Sequence, residues 1–127
     1  MRIFSALYHF ITLSLMKRYC LALDLKEDAA LIAEYEAYHR KVWPEIIKSI
    51  QDSGIISLEI YRVANRLFML LETGDDFSFE QKSEMDAANP YVQEWETLMW
   101  KYQQALPGAR PGEKWVLMEK IFSLERG

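Results

Sequence analysis

The sequence predicts an α+β fold in the order β-α-β-β-α-β, and three observations carry that expectation. Residues 19–25 alternate, with Tyr19, Leu21, Leu23 and Leu25 on one side and Cys20, Ala22 and Asp24 on the other, which is the two-residue period of a strand with one covered face. Two β-rich runs, 55–61 and 66–72, flank Val63-Ala64-Asn65 and read as a hairpin. Apolar residues recur at helical spacing in the two long intervals that remain.

The first helical interval opens at Asp28, a good cap, and carries Leu31, Tyr35, Tyr38, Val42, Ile46 and Ile50 at three- and four-residue steps until Asp52-Ser53-Gly54 stops it. Pro44 lies inside this pattern. Because proline has no N-H to give, it should kink the helix or split it in two. A polar helical stretch over 77–87 precedes Asn89-Pro90, where Asn caps and Pro occupies the first turn of another helix. Val92, Trp95, Met99, Tyr102 and Leu106 form its apolar stripe, and Pro107-Gly108 ends it. After the Pro111-Gly112 turn, residues 115–124 read as a final strand. This order is the ferredoxin-like split βαβ arrangement. Helices cover one sheet face and leave the other apolar, so two copies are expected to pack sheet against sheet as a homodimer, a dimeric α+β barrel.

Composition narrows the function. The chain has 127 residues, enough for one domain, with nineteen acids against fifteen bases, a net charge of -4 and no Lys/Arg run. Nucleic acid and anionic membrane surfaces, which both demand clustered positive charge, are poor partners for it. The single Cys20 cannot close an internal disulfide, and no CxxC pair or His/Cys cluster suggests a metal, so a reducing cytoplasm suits the composition. Residues 1–15 are apolar with one charge, Arg2, and end at Met16-Lys17-Arg18. They are too short to span a membrane as a helix and lack a clear cleavage site, so they read as an upstream extension ahead of a single domain over 16–127. Aromatic residues are plentiful (four Trp, seven Tyr, six Phe), as ring-lined walls around a pocket would require.

The chemistry should lie where the first helix carries Tyr35, His39 and Trp43. Residues four apart are neighbours on a helix, so a phenol and an imidazole stand side by side. Histidine exchanges protons near neutrality without help, and a phenol can hold a substrate oxygen in register. Spacing alone leaves open a plainer alternative, a buried histidine satisfied by backbone beside a tyrosine that fills core. Trp95 and Glu96 pair an indole, suited to the C-H face of a sugar, with a carboxylate suited to two hydroxyls. They read equally well as core and surface. Glu59 is a further candidate acceptor. Trp100 and Trp115 read as packing, and Asp75, Asp76, Glu84 and Asp86 as surface charges. There is no glycosidase carboxylate pair, no nucleophile elbow and no phosphate-binding glycine loop.

The run from Tyr35 to Glu45, read as Y-x3-H-x3-W-P-E, resembles the signature of the L-rhamnose mutarotase family. The likeness continues through Gly54, the hairpin with Asn65 to Phe68, Val92-Gln93-Glu94-Trp95, Leu106-Pro107 and Met118 to Phe122. The resemblance implies a dimeric α+β domain that interconverts the α and β anomers of a 6-deoxy sugar, a small neutral monosaccharide, with neither metal nor organic cofactor. It implies that His39 is the proton donor and that Tyr35 binds the sugar. Two positions depart from the rhamnose enzymes: their adjacent tryptophan pair falls at Trp95 and Glu96, and a substrate-contacting tyrosine falls at Leu58. These departures bear on which sugar is preferred, L-rhamnose or L-fucose. Two rival functions fit the same fold: a cofactor-free monooxygenase or haem-degrading enzyme, and a sugar-binding module without catalysis.

Overall fold

A computed structural model describes residues 16–124, so the expectation about residues 1–15 lies outside the described part. The elements are β1 (Lys17–Leu25), α1 (Ala29–His39), α2 (Pro44–Asp52), β2 (Ile55–Val63), β3 (Arg66–Thr73), α3 (Phe79–Ala87), α4 (Pro90–Trp100), β4 (Gln103–Gln104) and β5 (Val116–Leu117). The sheet runs β2-β3-β1-β4, with β5 also paired to β1 and every pairing antiparallel. This is the ferredoxin-like order expected from sequence.

Local chemistry sets the breaks. Asp28 and Asn89 cap α1 and α4 through side-chain oxygens that accept from Leu31 N, and from Tyr91 N and Val92 N. Pro44 divides the first helical interval. The residue before a proline is pushed out of the helical region, and Trp43 accordingly has φ -57 and ψ 137, so α1 stops at His39 and α2 starts at Pro44. The β2-β3 hairpin turns in two residues, with Ala64 at φ 51, and Asn65 ties the turn to β1 by donating Nδ2-H to Leu25 O at 3.0 Å.

The last strand differs from expectation. Residues 115–124 were expected to form a strand, yet only Val116–Leu117 pair with β1, and Ile121 is 92% exposed. The edge beside β1 is shared: β4 sits against Asp24 and Leu25, and β5 against Leu21 and Ala22. The second long helix is also shorter than its stripe suggested. It ends at Trp100, and the chain then bends into β4, which sequence reading missed.

Leu21, Leu23, Leu25, Leu67 and Leu71 share one sheet face and are buried; Leu25 and Leu67 pack with Ile46, Val92, Trp95 and Met99 from the helices, and Leu21 and Leu71 with Ile55 and Phe77. Leu23 and Leu25 are fully buried, each contributing about 2 kcal/mol of transfer free energy. The opposite face carries Cys20, Ala22, Tyr61, Phe68 and Leu70, of which Tyr61 is exposed. Asp24, buried on that face, is held by the Arg66 guanidinium through Nε at 2.8 Å and Nη2 at 3.1 Å.

Candidate active site

The helical turn that ends α1 puts Tyr35 and His39 together, as their spacing predicts. Their rings lie 4.3 Å apart between centroids at 37°. Nδ1 of His39 is 2.8 Å from the backbone oxygen of Tyr35. A carbonyl can only accept, so Nδ1 carries the hydrogen and Nε2 keeps its lone pair. Burial pushes the imidazole below its ordinary 6.5, against a smaller upward pull from the Tyr35 carbonyl. At neutral pH His39 is therefore a neutral base.

The Tyr35 phenol is pushed up to about 12 by burial, with a smaller opposing influence from the Gln103 side chain. It stays protonated throughout the physiological range. Trp95, buried on α4, stands edge-on to His39 with centroids 5.7 Å apart at 66°. These groups open onto a cleft of about 480 Å³ between the sheet, α2 and α4, within the range of small-ligand sites. Leu58, Ile60 and Met69 form its sheet wall. A second lobe of about 580 Å³ shares Leu58, Met69, Trp95, Met99, Gln103 and Trp115 with the first, making one continuous two-lobed cleft.

The sequence candidates divide between these places. Tyr35, His39, Trp95 and Leu58 come together around the first lobe. Glu96 lines the second lobe, where Lys82 pairs with Asp86, whose carboxylate is only 15% exposed rather than a solvated surface charge. Glu59 is exposed and pairs with Leu70 on the other sheet face, because neighbouring strand residues alternate and Leu58 and Ile60 take the cleft side. Trp43 does not line the cleft. It packs edge-on against Trp95 at 5.0 Å and buttresses the indole, since the break before Pro44 turns it away from the site. Trp115 packs against both core clusters as expected and also walls the cleft, whereas Trp100 is 40% exposed with Lys114 Nζ 5.2 Å above its ring. Gln103 was missed: the helix was expected to reach residue 106 and no role was given to a glutamine on it, yet it is buried in the cleft wall. Among the described residues no group of three or more His, Cys, Asp or Glu side chains is placed to hold a metal ion.

The fold and the site together define a small ferredoxin-like domain with a neutral imidazole and a protonated phenol at the mouth of an aromatic-walled cleft. The family model for L-rhamnose mutarotase matches residues 18–124, and the chain belongs to that family. Membership makes it a sugar mutarotase, an isomerase acting on carbohydrate. The chain is 51% identical over 111 residues to an L-fucose mutarotase of Xanthomonas campestris pv. campestris, covering 86% of this chain and 89% of the relative. It is 34% identical over 80 residues to an L-rhamnose mutarotase of Phocaeicola vulgatus, covering 61% of this chain and 69% of that one. The crystal structure of an L-rhamnose mutarotase from Formosa agariphila shares the fold, with a TM-score of 0.64 at 21% identity over 86% of this chain and 99% of that one.

Proposed function

We propose that this protein interconverts the α and β anomers of a 6-deoxyhexose, with L-fucose the preferred sugar and L-rhamnose the alternative. One observation carries the mechanism: Nδ1 of His39 is committed to the Tyr35 carbonyl, so its free Nε2 borders the cleft beside a phenol that keeps its proton. Nε2 takes the proton of the anomeric hydroxyl. As the C1-O5 bond breaks and C1 becomes an aldehyde, the same nitrogen returns that proton to O5, which lies one carbon away. Tyr35 donates a hydrogen bond to a sugar oxygen beside C1 and stabilises its developing charge. The C1-C2 bond then rotates, O5 attacks the other face of the aldehyde, and the proton travels back by the same route. No group leaves and no electrons change hands.

Trp95 gives the sugar ring a flat apolar wall, and Leu58 leaves open the space that a tyrosine would fill. Glu96, in the second lobe, accepts hydroxyl hydrogen bonds from a sugar extending that way. The choice of L-fucose rests on the 51% identical relative. The protein works as a homodimer joined through the sheet face that carries Tyr61, Phe68 and Leu70, where Tyr61 is 53% exposed and Val63 is 73% exposed. Its place is the cytoplasm, in keeping with a lone Cys20 and with the absence, among the described residues, of any helix long and apolar enough to cross a membrane.

Saturation-transfer NMR tests the reading directly. Purified protein should speed anomer exchange of L-fucose above that of L-rhamnose and well above background. Exchange at the background rate for every aldose would reduce the protein to a sugar-binding module, and oxygen uptake or haem binding would favour the monooxygenase class instead.

A further inference from the structure

The two lobes of the cleft differ in chemistry. The first holds Tyr35 and His39, and none of the described residues lining it is Lys, Arg, Asp or Glu. The second is bordered by Lys82, Asp86, Glu96 and Lys114, two cations and two anions whose charges cancel. At about 480 Å³ the first lobe is already on the scale of a small-ligand site, and a reaction confined to one monosaccharide has no use for a further lobe of about 580 Å³.

The second lobe is a built surface rather than a gap. Gln93 Nε2 donates to the Asp86 backbone oxygen at 2.9 Å and ties α3 to α4. Lys82 and Asp86 pair across one turn of α3, with side chains 25% and 15% exposed. An ammonium has three hydrogens and a carboxylate several lone pairs, so the pair still gives and takes hydrogen bonds after satisfying itself. Glu96 adds a further acceptor. Trp95 and Trp115 border both lobes, so a ligand spanning the cleft meets two indoles. Mutually neutralised charges suit a neutral polyol, whereas a phosphate or carboxylate would meet repulsion from Asp86 and Glu96.

The position of C1 sets the direction in which a substrate extends. Neither His39 nor Tyr35 borders the second lobe, so that lobe opens away from the reacting carbon. On a pyranose ring the oxygens of C3 and C4 lie on the far side from C1, while the oxygen of C2 stays beside the imidazole.

Resting on the mutarotase reading, we infer that the second lobe is a glycosyl subsite: the protein interconverts the anomers of a 6-deoxyhexose that carries a neutral sugar on O3 or O4, the reducing end of an oligosaccharide. The chemistry at C1 is unchanged, because a reducing end keeps its free hemiacetal.

Anomer exchange measured by saturation-transfer NMR on L-fucose bearing a galactosyl group on O2, O3 or O4, beside free L-fucose, tests this. The better of the O3 and O4 forms should be used with kcat/KM at least as high as free L-fucose, and the O2 form about tenfold less well or worse. Ser83 is exposed on α3 and borders the second lobe but not the first. Ser83→Trp should therefore fill the subsite and lower the ratio of kcat/KM for the glycosylated over the free sugar about tenfold. Lys82→Met, which removes a donor, should lower the same ratio about fivefold, with melting temperatures recorded for both variants. A wild type that uses free L-fucose but uses both the O3 and O4 forms less well, or a ratio that neither variant moves, overturns the subsite while the reaction stands. A wild type inert on free and glycosylated sugars alike removes the reaction, and the subsite with it.

Discussion

Nδ1 of His39 lies 2.8 Å from the backbone oxygen of Tyr35, so one residue supplies both the carbonyl that fixes the imidazole tautomer and the phenol that stands next to it. The i, i+4 geometry of a helix end does two jobs at once. It commits Nδ1 to the backbone and leaves Nε2 as the ring nitrogen free for chemistry, on a residue that lines the cleft.

From this, His39→Ala should leave a folded protein whose anomer exchange falls about a hundred- to ten-thousand-fold, the usual contribution of one acid/base group. Line-shape or saturation-transfer NMR on L-fucose reads the rate directly, and circular dichroism confirms the fold. Exchange as fast as wild type would remove His39 from the mechanism.

The pH profile follows from the direction of the two shifts. Burial holds the folded-state imidazole below 6.5, so the active neutral form persists at pH 6.5 and is lost only as the pH falls through the lower, folded value. The same shift has a stability sign: an unfolded histidine binds its proton first, so His39 favours the native state above pH 6.5 and progressively less below it. The Tyr35 phenol, at about 12, should impose no alkaline limb up to pH 10. Background-corrected kcat between pH 5 and 10 should therefore fall on the acid side only.

Tyr35→Phe keeps the ring that packs in the core and removes the hydroxyl. A hydrogen bond to developing charge is worth about 1.5–3 kcal/mol, so kcat should drop about ten- to a hundredfold, while His39 keeps its backbone partner.

Leu58 lines both lobes, at the position where the resemblance to the rhamnose enzymes expects a tyrosine. Leu58→Tyr should shift the ratio of kcat/KM for L-fucose over L-rhamnose toward L-rhamnose by about tenfold, because a new hydroxyl rewards one pattern of sugar hydroxyls and crowds another. Competition between the two sugars in a single NMR tube measures that ratio.

Two further changes test the frame around the site. Ala64 occupies the first central position of a two-residue hairpin turn with φ 51, where glycine carries no side-chain penalty, so Ala64→Gly should stabilise the fold by about 0.5–1 kcal/mol in urea unfolding. Phe68→Glu places a charge on the sheet face opposite the helices, beside Tyr61, and should convert the expected homodimer to monomer by light scattering.

Much of this was legible in the sequence because periodicity and capping are local. The alternation of β1, the Asn89-Pro90 start of α4 and the split at Pro44 each depend on a few neighbouring residues, and each lies where the sequence puts it. The i, i+4 pair of Tyr35 and His39 was readable for the same reason. Contacts made across the fold were not. Gln103 and Tyr35 are 68 positions apart, and nothing local marks a glutamine after a helix as a cleft residue. Trp43 lies one turn beyond His39 in the linear pattern, so it looked like a third site residue until the proline turned it against Trp95. Residues 115–124 are largely apolar and read as a strand, but a strand still needs an edge, and β4 and β5 divide the edge of β1 between them.

The cleft draws its imidazole from the end of α1, its indole from α4 and its carboxamide from β4, segments that converge only once the sheet has closed. Turnover is consequently a signal of complete assembly: on refolding, sugar interconversion should return only when the sheet and helices have closed around the cleft.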